Sequence, residues 1–158
     1  MICYLIPISI GLYLVVERGI PILAFGLISV FCSIFYTAPP ISFSHKGLGE
    51  LGLLVNFGST IGLDSYFVQA QRLTAEAFFA TLPMGIMLFS MIVLNEIPDY
   101  EEDRMAGKLA LMARYGKKMG GKIYIMSWFF TYSVIVAAVS LRIMPTVTLI
   151  ALLSAPLV

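Results

Sequence analysis

The sequence predicts an all-α, multi-pass transmembrane helical bundle of about six helices, and three observations carry that prediction. Of its 158 residues 59% are hydrophobic and only 12% charged, and the mean hydropathy of +0.94 lies far to the apolar side of an average soluble domain. Five apolar stretches each approach the length of a hydrocarbon core, and a sixth begins near the end of the chain. The period-2 alternation of barrel strands is absent, so backbone groups inside each stretch must be satisfied by helical hydrogen bonds.

The first stretch runs roughly from Met1 to Val16 and the second from Ile20 to Ala38, with a short connection near Glu17 and Arg18. Met1 opens directly into apolar sequence without a positive n-region or a cleavage site, which argues against a removable signal peptide. Pro39 and Pro40 end the second stretch, because proline cannot donate to a helix and pushes the preceding residue out of the α region. A loop from Ser42 to Glu50 follows, with Gly47 and Gly49 marking turns. The third stretch, Leu51 to Gln69, contains two polar residues, Asn56 and Asp64. Intramembrane polar groups are functional candidates. Asp64 falls at the far end near Gln69 and Arg72, as an interfacial acid, whereas Asn56 is placed to line a central cavity.

The fourth stretch spans Ala77 to Leu94. Pro98 suits the first position of a new short helix, where its missing N–H costs nothing, so Asp99 to Arg104 are expected to form a cap outside the membrane. Leu109 to Tyr115, bounded by Gly107 and Gly116, reads as a short interfacial helix. The fifth stretch is Ile123 to Leu141, and the sixth starts near Met144 and is still running at Val158. Residues 1–158 therefore read as one transmembrane domain, incomplete at both ends. Cys3 and Cys32 sit in different stretches without metal-type or redox spacing and are expected to be packed thiols. The net charge of +1 gives no case for nucleic acid.

With six spans, the loops around His45-Lys46 and around Asp99 share one side. That side carries Lys46, Arg104, Lys108, Arg114, Lys117, Lys118 and Lys122, against Arg18, Arg72 and Arg142 on the other. Positive residues accumulate in cytoplasmic loops, so the two long loops are predicted to face the cytoplasm together.

Five of the nine acidic residues fall between Glu96 and Asp103, immediately after an apolar span. Carboxylates crowded at a membrane edge repel one another and desolvate badly unless a cation neutralises them. Asn95, Asp99 and Asp103 recur at four-residue spacing, which on one helix would place their oxygens on one face. A few hard oxygen ligands suit Mg²⁺, which keeps waters and shares itself with substrate phosphates. Asp99 and Asp103 are thus the candidate catalytic residues, with Asn95 completing the metal set. Glu101 and Glu102 point to other faces and read as solvated. Lys108 and Arg114 follow at a distance that can return them to the acidic patch as phosphate contacts, and Lys46 and His45 occupy the neighbouring loop.

The string Asn95-x-x-x-Asp99-x-x-x-Asp103-Arg104-x-x-Gly107-Lys108 resembles the second aspartate-rich motif of the UbiA-type intramembrane aromatic prenyltransferases. Tyr36-Thr37-Ala38-Pro39-Pro40 through Gly47-Leu48-Gly49-Glu50 resembles the cytoplasmic loop that precedes it, and the 1,4-dihydroxy-2-naphthoate (menaquinone) branch is the most similar. The resemblance implies a nine-helix fold, of which this chain would hold the third through eighth helices. It implies an integral-membrane enzyme of the cell (inner) membrane that uses Mg²⁺ to transfer a polyprenyl group from its diphosphate to an aromatic acceptor for quinone synthesis. Asn95, Asp99 and Asp103 would then be metal-site residues, and Lys108 a diphosphate contact, with Lys46, Arg114 and Asn56 as further substrate-binding candidates. The chain departs from the family pattern at Pro98, where many relatives have a basic residue, and at Ala110, where they have Thr. The family's first motif, an Asn-Asp-x-x-Asp-type string, is missing, so the chain on its own is expected to be inactive. Two readings from other classes compete with this one: a cation-coupled transporter, which Asp64 favours, and a non-catalytic membrane subunit.

Overall fold

Proline and glycine punctuate the chain where its helices stop. A computed structural model describes residues 2–157, and among them there are helices and turns but no strand. Helix α1 spans Ile2–Arg18 and α2 Ile20–Thr37, joined at Gly19, whose φ of 99° only glycine adopts readily. After Pro39 and Pro40 a single 3₁₀ turn, Phe43–His45, leads into the third membrane-length element. That element is not one regular helix. It is a rod of α3 (Gly49–Val55), a π-helical segment (Asn56–Ile61) and α4 (Gly62–Ala70). Gln71, at φ 52°, ends the rod, and the Thr74 hydroxyl accepts from Ala77 N to start α5, Ala75–Asn95.

Two short helices follow outside the spans, α6 (Tyr100–Met105) and α7 (Leu111–Tyr115), before α8 (Lys117–Ser140) and a closing 3₁₀ helix, Thr146–Leu157. The expected cap helix is present, but it opens at Tyr100 with Asp99 as its N-cap residue. Four elements among the described residues are long and apolar enough to cross a membrane: α2, the Gly49–Ala70 rod, α5 and α8. The other two expected spans are shorter, α1 at 17 residues and the terminal 3₁₀ helix at 12. The Cys3 side chain lies outside what is described, and Cys32 is a half-buried free thiol.

The spans pack mainly in chain order, α1 on α2, α2 on the rod, the rod on α5 and α5 on α8, the last being the most extensive contact. Water-driven burial cannot bring helices together inside a bilayer, so close packing of small residues and interhelical fit must do so. The rod crosses α5 at Gly58 and Gly85, where a Cβ on Gly58 would stand 2.6 Å from the Gly85 Cα and one on Gly85 2.6 Å from the Leu54 carbonyl oxygen. On α8 the buried residues Gly120, Ser127, Thr131, Val134 and Ala138 fall at helical spacing. The buried hydroxyls bond within their own helices, Thr131 to the Ser127 carbonyl and Ser127 to that of Ile123, and so need no partner across the interface. Large apolar side chains such as Val16, Ile20, Leu27, Ile125 and Phe129 are exposed, as lipid-facing positions require. The Phe43–His45 turn, α6 and α7 gather at one end of this arc of helices.

Candidate active site

Helix α5 stops at Asn95 because Pro98 cannot continue its hydrogen-bond ladder, and four turn residues intervene before α6. Asn95 and Asp99 therefore do not share one continuous helical face, contrary to the four-residue spacing. The turn nevertheless brings them together. Asn95, Asp99 and Asp103 all line one cavity of about 280 Å³, whose other walls include Tyr36, Glu50 and Glu96. Asn95 and Asp99 are exposed, while the Asp103 side chain is only 14% exposed.

Lys108 reaches this cavity because of how α6 ends. Gly107 takes φ 68°, its N–H bonds the Arg104 carbonyl, and Lys108 N–H bonds back to the Asp103 carbonyl at 3.0 Å. That left-handed glycine termination turns the chain back along its own last turn. The Lys108 ammonium then meets the Asp103 carboxylate at 2.5 Å and lines the cavity. Hydrogen bonding to Asp103, with the charges of Asp103 and Asp99, holds the Lys108 ammonium above the usual lysine range.

The remaining sequence candidates lie elsewhere. Lys46 is exposed and donates to the Pro40 carbonyl at 2.9 Å within its own loop, so it does not line the cavity. Arg114 sits on the exposed side of α7 with its guanidinium 5.5 Å from the Tyr115 ring. Spacing in the chain brought both near the acids, but the turn directions carry them off. Asn56 is buried, 6% exposed, and lines a different cavity deeper along α2. Glu101 and Glu102 are exposed and outside the cavity lining, as expected of a solvated face. Asp64 lies fourteen residues along the rod from Glu50, about 21 Å at the rise of a helix.

Two acids that sequence reasoning passed over do the structural work here. Glu50 opens α3 and is buried, and its Oε1 accepts from Leu111 N at 2.8 Å. Glu96, just past α5, accepts from Met112 N at 3.1 Å through Oε2. Together they hold the first turn of α7, whose free N–H groups need acceptors. A third tie is Leu109 N to the His45 carbonyl at 3.0 Å, at a crossing where Gly47 alone leaves room beside the Leu109 carbonyl. The Met112 side chain, fully buried, fills the space over Gly120 on α8. The signal available in the sequence was an acid at the edge of each of two spans, where an unpaired carboxylate is costly.

Burial, and then the neighbouring Glu50 carboxyl, push Glu96 up to about 8, against the pull of the Met112 N–H. Because this group holds its proton more tightly folded than unfolded, its contribution is full below the ordinary value of 4.5 and is lost as pH rises through about 8. Thermal unfolding of the purified protein in detergent should therefore show a larger fall in Tm from pH 6 to pH 9 for wild type than for Glu96→Gln, which keeps an acceptor for Met112 N. Parallel pH profiles for the two proteins would remove Glu96 as the titrating group.

Among the described residues no three His, Cys, Asp or Glu side chains gather closely enough to hold a metal unaided. Two carboxylates and a carboxamide on the wall of an open cavity instead fit Mg²⁺ in its usual mode, in which waters and substrate phosphates complete the shell. Lys108 adds a cation at the same wall. The arrangement can bind a diphosphate through Mg²⁺ and an ammonium, next to a long apolar surface.

A family model described as "UbiA prenyltransferase family" matches residues 1–158. The chain is 30% identical over 118 residues to UbiA prenyltransferase domain-containing protein 1 of Dictyostelium discoideum, covering 75% of this chain and 35% of that protein. It is 26% identical over 136 residues to 1,4-dihydroxy-2-naphthoate octaprenyltransferase of Bacillus subtilis, covering 86% and 44%. It is 26% identical over 129 residues to 2-carboxy-1,4-naphthoquinone phytyltransferase of Synechocystis, covering 82% and 42%. The chain thus spans less than half the length of these relatives. No solved structure matches it.

Proposed function

Because this chain belongs to the UbiA prenyltransferase family, we propose that it is the acidic half of an intramembrane prenyltransferase site, transferring a polyprenyl group from its diphosphate to an aromatic acceptor, a hydroxylated naphthoate. The observation that carries this reading is the convergence of Asn95, Asp99, Asp103 and Lys108 on one cavity at the end of an apolar helix arc. Asp99, Asp103 and Asn95 would hold Mg²⁺, which when bound neutralises charge on the diphosphate. Lys108 donates to the diphosphate oxygens that face it, and Asp103 keeps that ammonium charged and oriented. The tie of α7 to Glu50 and Glu96 fixes the loop that carries Lys108. In the reaction the allylic C1–O bond breaks, the diphosphate leaves with the electron pair, and an electron-rich ring carbon bonds to C1 and then releases its proton. The apolar helix faces exclude water, which would otherwise capture the allylic cation. The naphthoate acceptor is proposed from the likeness to 1,4-dihydroxy-2-naphthoate octaprenyltransferase and 2-carboxy-1,4-naphthoquinone phytyltransferase.

The test is equilibrium binding of geranylgeranyl diphosphate to the 158-residue chain in lipid nanodiscs, with Mg²⁺ and with EDTA. Binding that requires Mg²⁺ is expected, since a transporter or a non-catalytic subunit has no need of it. Mg²⁺-independent binding, or none, would overturn the reading. A leaving diphosphate develops more negative charge than a single Mg²⁺ and one lysine balance, so this chain by itself is proposed to bind without turnover; prenylation of a naphthoate by residues 1–158 alone would refute that step.

The site is proposed to face the cytoplasm in the cell membrane, on the basis of seven basic residues at its end of the helices and three at the other. A cysteine placed at the exposed Glu102, with Cys3 and Cys32 replaced, should react with an impermeant thiol reagent only from the cytoplasmic side. Labelling from outside reverses the orientation.

A further inference from the structure

Six of the ten basic residues fall between Arg104 and Lys122, and no acidic residue occurs from Arg104 to the end of the chain. Four of the six have partners. Lys108 pairs with Asp103, Arg104 donates to the Tyr100 hydroxyl at 3.4 Å, Lys117 lies 5.2 Å from the Tyr100 ring and Arg114 5.5 Å from that of Tyr115. Lys118 and Lys122 are left over. Both are exposed, and among the described residues neither makes a side-chain hydrogen bond, an ion pair or a ring contact.

Their register on α8 shows which way they face. The buried side of that helix is formed by Gly120, Ser127, Thr131, Val134 and Ala138. Lys118 and Lys122 stand opposite it, in one line with the exposed Ile125 and Phe129 at successive spacings of four, three and four residues. Exposed side chains of that size on a membrane-length helix meet acyl chains, so the two lysines belong to the lipid-facing stripe where α8 enters the bilayer. A lysine there lays its apolar stem along the acyl region and holds its ammonium at headgroup level. Residues four apart on a helix have Cβ atoms only about 5–6 Å from each other, so both ammoniums can reach one phosphate. Tyr115, exposed at the end of α7, adds the amphipathic ring suited to the same depth.

We propose that Lys118 and Lys122 bind the headgroup of an anionic phospholipid, on the lipid-facing side of α8 and apart from the diphosphate cavity, whose wall neither residue joins. Charge complementarity selects this occupant. A zwitterionic headgroup brings a cation of its own to compete with the lysines, whereas an anionic one leaves its phosphate to them. The bound lipid fixes the depth of the first turns of α8, and with them α7, which packs on that helix through Met112 over Gly120. Nothing in this depends on the prenyltransferase reading.

The chain's one tryptophan, Trp128, lies six residues beyond Lys122 on the same helix, about 9 Å further into the bilayer. Lipids brominated on their acyl chains quench tryptophan on contact. The test therefore compares quenching by brominated phosphatidylglycerol and brominated phosphatidylcholine in bilayers containing the 158-residue chain. Wild type should prefer phosphatidylglycerol by at least about fivefold, the worth of one lysine near a charged surface. Lys118→Gln combined with Lys122→Gln should bring the two lipids within about twofold. Lys46→Gln, which removes a charge from the other loop at this end, should leave the preference as it is. The wild-type comparison needs no variant and stands even if the double variant folds poorly. Equal quenching by the two lipids in wild type, a preference that survives the double substitution, or one lost equally in Lys46→Gln would overturn the proposal. Loss of the preference on adding millimolar inorganic phosphate at constant ionic strength would assign the lysines to a free anion and overturn it too.

Discussion

Asp99→Asn and Asp103→Asn should each lower Mg²⁺-dependent binding of a prenyl diphosphate by roughly 10²-fold, since losing even a group that only supports a metal ligand costs about 10- to 100-fold in metal affinity. Both side chains line the acidic cavity, and each substitution keeps the shape while removing the charge on which a hard cation depends. Asp103 carries a second role, because its carboxylate orients Lys108. Asp103→Asn should thus weaken Mg²⁺-dependent binding further than Asp99→Asn does, because it loses the oriented ammonium as well as a metal-site charge. Glu101→Gln serves as the control, being exposed and outside the cavity. Kd values measured for the three variants with and without Mg²⁺ decide the matter. Equal losses at all three positions would reduce the site to general loop charge.

Glu50→Ala should be the most damaging change to the architecture around the site. The substitution removes the acceptor for Leu111 N in a place that is 3% exposed, and an N–H left unsatisfied there costs about 1–3 kcal/mol. Since α7 is only five residues long, it cannot hold itself together without tertiary contacts. Freeing its first turn releases the Lys108–Ala110 segment, so diphosphate affinity should fall with stability. Glu50→Gln retains an oxygen for Leu111 N, removes one of two adjacent acids, and should preserve both properties. The measurements are Tm in detergent and hydrogen exchange at Leu111 and Met112, together with diphosphate Kd. If Glu50→Gln proved as harmful as Glu50→Ala, the negative charge rather than the acceptor oxygen would be what matters.

The same residues show where reading the chain succeeds and where it stops. The apolar stretches were legible because a bilayer demands length and hydrophobicity, both local properties. The glycine after α6 and the proline before it were legible as punctuation, and so was the short helix between them. Continuity across Pro98 was not, because four-residue spacing assumes an unbroken helix, and a four-residue turn reaches the same convergence by another route. Lys108, Lys46 and Arg114 looked alike as basic residues near acids. Only the left-handed turn at Gly107 brings Lys108 home, while Lys46 spends its ammonium on Pro40 and Arg114 lies over Tyr115.

Composition and local pattern by themselves determined that this chain is helical, that it is built for lipid, and that its charge is concentrated at one end, since these depend on residue type and neighbours in sequence. The pairing of Glu50 with Leu111 joins residues 61 apart, and the shared wall at Tyr36 joins α2 to the loop after α5. The burial of Asn56, a polar residue in an apolar stretch, becomes visible only when the rod is packed among its neighbours. Such relations belong to the tertiary structure alone, because burial and partnership of a polar atom are properties of what surrounds it in space, and the order of residues along the chain does not contain them.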